Sequence, residues 1–295
     1  MWKPDLCIYH GNCDDGFGAA WVVRKAFGDG VQFVPGIYGK DPPDVADKNV
    51  LMVDFSFKRP VLEGMLQSGD ARQAMTILIL DHHKTAAADL AGIKHPEDSY
   101  DPATWRNRWE SWGEWPVRAI FDMDRSGAQL AWDYLFDGEP RPKMIDYIGD
   151  RDLWRFALGD ATKQFSAALR TYPMTFEAWD EIAANPEKLL AEGAVVLKAH
   201  TANITKFMAD AYQDEVGGHR VPVVNVPYHY ASDTAHALLQ AYPDAPFTAC
   251  WFKRGDGMVQ WSLRSEDSRL DVSEIAKQFG GGGHRNAAGF QLASR

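Results

Sequence analysis

The chain has 295 residues, 45% of them hydrophobic and 24% charged, with 31 Lys and Arg against 41 Asp and Glu for a formal charge of -10. This composition excludes a fibrous or disordered chain and supports a folded protein of two domains. The acidic balance disfavours long duplex nucleic acid, which binds through many phosphate contacts to basic surface. A phosphate-bearing substrate is then small, or is met by a local positive pocket or a metal.

The cysteines are Cys7, Cys13 and Cys250. So sparse and odd a set gives no disulfide framework and suits a reducing compartment. The opening MWKPDLCIYHGNCDDG has no basic region followed by an apolar stretch. No apolar run approaches the ~20 residues of a membrane span. The expectation is a cytoplasmic protein with no membrane partner.

In chain order, Leu6–Tyr9 reads as a buried strand and Phe17–Phe27 as a helix, while Val50–Val53 and Thr76–Leu80 read as further strands. Strands alternating with helices predict an α/β fold: an N-terminal parallel-sheet domain with flanking helices. His10 follows the first strand, Asp54 the next, and Asp81-His82-His83 the last. Ligands of open parallel sheets gather beyond the carboxyl ends of the strands. Residues 95–116 break the pattern with Trp105, Trp109, Trp112 and Trp115, read as packing of an excursion in preference to base stacking.

Pro116–Phe136 and Pro142–Ile148 read as helix, with Ser126-Gly127-Ala128 as a helix start suited either to anion binding or to close packing. Pro186–Tyr212 reads as one long helix with Gly217-Gly218 beyond its end. Val221–Val226, Phe247–Phe252 and Met258–Leu263 read as strands, and Val272–Phe279 as a helix before a glycine run. The expected division is a catalytic domain over 1–185, a connecting helix and linker over 186–218, and a smaller C-terminal α/β domain over 219–295.

Four clusters carry chemistry: His10 to Asp14-Asp15-Gly16, then Asp54, then Asp81-His82-His83, then Asp150-Arg151-Asp152. A mixed Asp/His set suits Mn²⁺ or a similar divalent ion. A bridging carboxylate can hold two metals ~3.5–4 Å apart and so activate water for phosphoryl displacement. Each cluster alone is weak, because strand-end aspartates usually cap turns or helices. Their order and spacing together give the signal.

These segments resemble the DHH-family phosphoesterases, a group that includes RecJ-like exonucleases, nanoRNases, cyclic-dinucleotide phosphodiesterases and family II inorganic pyrophosphatases. LDHHKTA is similar to the name-giving motif, VDFSF to the motif with the bridging Asp, and YIGDRDLW to the later Asp motif. The stretch WSLRSEDSRLDVSEIAKQFGGGGHRNAAGF resembles the DHH-associated substrate-binding domain. The resemblance implies that Asp54 bridges two metals, that His82, Asp150 and Asp15 bind one of them, and that His10 binds the other. It implies that Asp81 orients an imidazole and that His83 contacts the scissile phosphate. It also implies two divalent ions, Mn²⁺ foremost with Mg²⁺ or Co²⁺ as alternatives.

The first motif departs from the family pattern, in which carboxylates stand four and six residues after the His. Here Asp14 and Asp15 stand four and five after His10. Either both are ligands on a shortened loop, or Asp15-Gly16 is the matching step, Cys13 sits where an Asp often does and Asp14 is incidental. Adjacent side chains rarely point the same way, which favours the second alignment.

In the glycine run, Gly281, Gly282 and Gly283 let backbone N–H groups approach a phosphate, with His284 and Arg285 adding positive contacts and Arg264 clamping a second phosphate. The expected activity is hydrolysis of short oligonucleotides or linear or cyclic dinucleotides held between the two domains. Alternatives are a phosphomonoesterase or polyphosphate hydrolase, for instance on 3′-phosphoadenosine 5′-phosphate, and a catalytically weak nucleotide-binding protein. A homodimer is compatible with all three.

Overall fold

The computed structural model describes residues 2–66, 76–93 and 117–293. The segment bearing Trp105, Trp109, Trp112 and Trp115 lies outside them. The chain divides into two compact units, Met1–Ala194 and Val195–Arg295.

The first unit runs β1 (Leu6–His10), α1 (Asp14–Phe27), β2 (Gln32–Gly36), β3 (Asn49–Val53), α2 (Arg59–Leu66), β4 (Thr76–Asp81), α3 (Lys84–Asp89) and β5 (Val117–Phe121). Helices α4 (Gly127–Leu135), α5 (Lys143–Asp152), α6 (Asp160–Leu169) and α7 (Phe176–Ala184) follow. The five strands form one parallel sheet in the order β2-β1-β3-β4-β5.

Alternation along the strands sorts side chains to two buried faces. Cys7, Leu51, Val53, Leu78 and Leu80 pack with α1, α4, α5 and α7 through Trp21, Leu130, Ile145 and Trp179. Leu6, Ile8, Val50, Met52, Ile77 and Ile79 pack on the other side with Phe55, Leu62 and Leu90. The result is the expected α/β sheet with helices on both faces. Its strand order reverses between β1 and β3, and such a switch point leaves a crevice at the strands' carboxyl ends.

The helix predicted over Pro116–Phe136 divides. Val117–Phe121 extends along β4, from Ile77 opposite Val117 to Asp81 opposite Phe121. A turn follows in which Asp122 Oδ1 accepts the Asp124 N–H at 2.8 Å. Helix starts only at Ser126, whose hydroxyl and Gln129 form a reciprocal capping box. A short apolar run has no periodicity of its own, and sheet pairing decided its conformation.

The helix expected over Pro186–Tyr212 is α8 (Lys188–Met208), and Tyr212 opens a strand instead. The second unit then runs β6 (Tyr212–Val216), β7 (His219–Asn225), α9 (Tyr228–Ala241), β8 (Thr248–Lys253), β9 (Met258–Arg264), α10 (Val272–Lys277), β10 (Gly282–His284) and β11 (Ala287–Ala293). Gly217 and Gly218, at φ 59° and 78°, form the two-residue turn between β6 and β7. Positive φ at both central positions is the hairpin geometry that glycine permits. The six-stranded sheet has the order β10-β11-β9-β8-β7-β6 and is antiparallel except between β7 and β8. One face packs on α10 through Leu263, Ile275 and Phe290, the other on α9 through Cys250, Ala235 and Leu238.

Among the described residues no helix is long and apolar enough to cross a membrane.

Candidate metal centre

Three neighbouring strands deliver the site. His10 ends β1, Asp54 follows β3 and Asp81 ends β4. Asp54 adopts φ 54°, a left-handed conformation that Asp tolerates better than most residues. Its N–H donates to Leu80 O at 2.9 Å, which ties the turn to β4. The Asp54 side chain is 1% exposed and lies between two imidazoles, with Oδ2 3.3 Å from His10 Nδ1 and Oδ1 3.0 Å from His82 Nε2. Neither oxygen has the angles of a hydrogen bond.

His82 Nε2 also faces Asp15 Oδ2 at 3.7 Å and Asp152 Oδ2 at 3.5 Å. Asp15 stands in the first turn of α1. Its carboxylate accepts the Gly127 N–H at 2.5 Å and the Ala128 N–H at 3.1 Å. The N-terminus of α4, read from the sequence as either an anion site or a packing element, is thus filled by this internal carboxylate. Two glycines permit the approach. A Cβ on Gly16 would stand 2.2 Å from His10 O, and one on Gly127 2.3 Å from Asp54 Cβ.

Asp81 Oδ1 accepts the His82 N–H at 2.7 Å and the His83 N–H at 3.2 Å, and lies 2.7 Å from His83 Nδ1. Asp81 therefore orients His83.

Asp14 and Asp150 do not join this group. Asp14 turns toward Arg170, 3.6 Å away. Asp150 accepts the Ala157 and Leu158 N–H groups at 2.8 and 3.1 Å and the Thr162 hydroxyl, so its oxygens organise the chain after α5. Asp152 is the residue of that motif that meets His82. The sequence contained both aspartates. Only the helical rotation at the end of α5 separates them: positions two apart on a helix diverge by about 200°.

Electrostatics follow from this crowding. Burial alone would raise the Asp54 carboxyl, but the facing His10 and His82 outweigh it and hold it well below its usual range. Burial, with Asp54 and Asp152 beside it, keeps the Asp15 carboxyl well above that range. Asp152 is raised by its partial burial and by the neighbouring Asp54. Burial disfavours the His82 imidazolium, yet Asp54, Asp152 and Asp15 raise it to about 10. Burial and the same carboxylates push the Cys13 thiol well up.

The residues fit divalent ions. One set of ligand atoms, from His10, Cys13 and Asp54, lies within 4.8 Å of one another, and so does a second from Asp15, His82 and Asp152. Asp54 turns one oxygen toward a histidine of each set, and its lack of a proper hydrogen bond marks a carboxylate shaped for a cation.

Residues 230–295 match the DHHA1 domain. A protein of Acanthamoeba polyphaga mimivirus, described as uncharacterized protein R106, is 30% identical over 314 residues, spanning 99% of this chain and 68% of its own length. Among solved structures, the chain is similar to a DHH domain described as a member of the s1p family of ribosomal proteins, at 12% identity and TM-score 0.52, covering 97% of this chain and 82% of that one. It is also similar to RecJ from Thermus thermophilus in complex with Mn²⁺, at 15% identity and TM-score 0.47, covering 98% of this chain and 50% of that one. The chain belongs to the DHH family and carries a C-terminal DHHA1 domain.

In this DHH protein the residues expected to hold substrate lie in the DHHA1 domain. Strand register sets His284 opposite Ala287 and Ala287 opposite Arg264, so His284 and Arg264 share a row on one face, two strands apart. Arg264 Nη2 donates to Ser232 Oγ at 2.8 Å. Arg285 turns elsewhere: its Nη2 donates to Asp267 O and Arg269 O, and Asp271 Oδ2 is 3.6 Å from its Nη1. The glycine run leads into close-packed strand, which begins at Gly282. A Cβ on Gly281 would stand 2.1 Å from Gly289 O, and one on Gly283 2.6 Å from Ala287 O, while Gly282 pairs with Gly289. Small residues are needed here for strand approach whatever ligand the domain binds.

Proposed function

We propose that this protein is a divalent-metal-dependent phosphodiesterase acting on short oligonucleotides or on linear or cyclic dinucleotides. The observation that carries the reading is Asp54, a buried carboxylate with no proper hydrogen bond, set between imidazoles from two strands and surrounded by Asp15 and Asp152. Membership of the DHH family supports phosphoester chemistry, and the formal charge of -10 supports a small substrate over a long polyanion.

His10, Asp54, His82, Asp15 and Asp152 are the residues that would hold the ions. Bound there, divalent ions supply activated water and neutralise charge that develops on the phosphate. The remaining work falls to the chain. Asp81 fixes the His83 ring through Nδ1, and we assign the imidazole so oriented to a phosphate oxygen. Burial disfavours the His83 imidazolium, but the adjoining Asp81 and Asp54 carboxylates raise it, so the ring is suited to donate to an anion. In the DHHA1 domain, His284 and Arg264 share one row of the sheet, the part of that domain we assign to an anionic ligand.

The test is a substrate panel with Mn²⁺: oligonucleotides of increasing length, cyclic dinucleotides, phosphomonoesters and polyphosphate. The expected product is mononucleotide from the shortest substrates, abolished by Asp54→Asn and by His82→Ala. Inorganic phosphate as the sole product would favour the phosphomonoesterase or polyphosphate hydrolase instead. Full activity in either variant would refute the assignment.

A further inference from the structure

Cys13 is the first residue of the cluster that the general reading leaves unused. It is the N-cap of α1, a position where Ser, Thr, Asp or Asn stabilises a helix through its side chain. The Cys13 side chain makes no such bond. Instead the turn through Asn12, at φ 58°, brings Sγ back beside the end of β1. There Sγ, a nitrogen of His10 and an oxygen of Asp54 lie within 4.8 Å of one another. The side chain it meets is the 1% exposed Asp54 carboxylate, whose two oxygens accept no proper hydrogen bond. His10 Nδ1 accepts and donates none either.

We infer that Cys13 Sγ is itself a metal ligand, so that His10, Cys13 and Asp54 form a nitrogen, sulfur and oxygen cradle for a thiophilic divalent cation of the Zn²⁺ class. The second set, Asp15, His82 and Asp152, offers two carboxylates and one imidazole and suits a harder ion such as Mn²⁺ or Mg²⁺. Thiolate selects Zn²⁺ over Mn²⁺, whereas carboxylate-rich sites hold the harder ions, and imidazole serves both. The centre is thus built for two different metals sharing Asp54. This inference rests on the proposed function only in taking the cluster as a metal centre.

Cobalt(II) reports the two points separately. Thiolate ligation gives a near-ultraviolet charge-transfer band, and any tightly bound Co²⁺ gives visible d–d absorption. Metal-free full-length protein titrated with Co²⁺ is expected to show both. Cys13→Ser should lose the charge-transfer band and keep visible absorption from the second position. Cys13→Asp, which restores an anionic ligand, should bind two equivalents by mass spectrometry without the band. Zn²⁺ should displace the charge-transfer band before it displaces the remaining cobalt. Cys7 and Cys250 are fully buried in strands, and among the described residues neither belongs to a group of converging ligand atoms, so they do not confuse the signal. Two bound cobalt ions with no charge-transfer band, or a band that survives in Cys13→Ser, would overturn the inference and leave the phosphodiesterase reading standing. No cobalt bound to the wild-type protein would overturn both.

Discussion

Asp81 and His83 form the shortest side-chain contact of the triplet, 2.7 Å from Oδ1 to Nδ1, while the same oxygen accepts the backbone N–H groups of His82 and His83. One carboxylate oxygen therefore sets both the loop and the ring. Asp81→Asn should retain an oxygen for the two backbone donors and lose only the anionic partner of the imidazole. The expected outcome is a fall in kcat of about 10- to 100-fold, the usual cost of removing a group that orients a catalytic histidine. Metal content by mass spectrometry should stay at the wild-type level. An unchanged kcat would show that the orientation of His83 does not matter to the chemistry.

Asp150 and Asp152 separate structure from chemistry within one short motif. Asp150→Ala strips partners from the Ala157 and Leu158 N–H groups and the Thr162 hydroxyl. The expected loss is about 1–3 kcal/mol of stability, the cost of leaving the buried Thr162 hydroxyl unsatisfied, while the N–H groups of the exposed Ala157 and Leu158 turn to water. Asp152→Asn should leave the denaturation midpoint near the wild-type value and weaken metal binding, because its carboxylate faces His82 and keeps 28% of its side chain exposed. Urea denaturation and metal titration of the two variants check the pair. The opposite pattern would return the ligand role to Asp150.

What the sequence made legible, and what it did not, follows from the range of the interactions involved. The strand ends at His10, Asp54 and Asp81 were readable because continuous apolar runs in a parallel sheet announce themselves, and the residue after such a run sits at the ligand edge. The choice between Asp150 and Asp152 was not readable. It depends on Ala157, Leu158 and Thr162 claiming one carboxylate through tertiary contacts. Asp14, incidental in the alignment that the sequence favours, faces Arg170, a partner far along the chain. Strand β5 was masked by the helix-like composition of the residues after it, and its state was fixed by pairing with β4. In the DHHA1 domain the glycine run looked like a phosphate cradle, whereas Gly281 and Gly283 are also required by the approach of β11.

Gly16 and Gly127 should be intolerant of any side chain. Gly127→Ala would place a methyl group 2.3 Å from Asp54 Cβ, and Gly16→Ala would place one 2.2 Å from His10 O. Overpacking of this kind costs about 1–3 kcal/mol, and here it also displaces Asp54 or the His10 backbone. Both variants should lose stability and bind Mn²⁺ more weakly. Gly64→Ala in α2 is the control: among the described residues nothing lies within 4 Å of its added Cβ, and Ala is the better helix former. That variant should gain about 0.5–1 kcal/mol with wild-type metal affinity. Wild-type metal affinity in Gly127→Ala would show that the tight approach to Asp54 is not needed to shape the site.

The metal-free protein should lose stability as pH rises above neutrality. His82 is raised from 6.5 to about 10, against the cost of burial, by Asp54, Asp152 and Asp15. A group raised in the folded state contributes stability that is fully present below its unfolded value and lost as pH climbs through the folded one. For His82 that window runs from 6.5 to about 10. Asp15 and Asp152, raised by burial and by the neighbouring Asp54, act in the same direction from their lower starting point. Asp54 and Asp81 have the opposite sign: burial opposes their ionisation, the histidines outweigh it, and their contribution is lost only in acid below the usual carboxylate range. Thermal denaturation in EDTA should therefore give a Tm that falls steadily between about pH 7 and about pH 10. Binding of divalent metal replaces these protons, because a ligating imidazole must be deprotonated. Saturation with Mn²⁺ should accordingly flatten the profile and release protons into a weakly buffered solution at about pH 7. A flat profile in EDTA, or metal uptake with no proton release, would show that His82 is already neutral in the metal-free protein and that the carboxylates around it are held by something other than its charge.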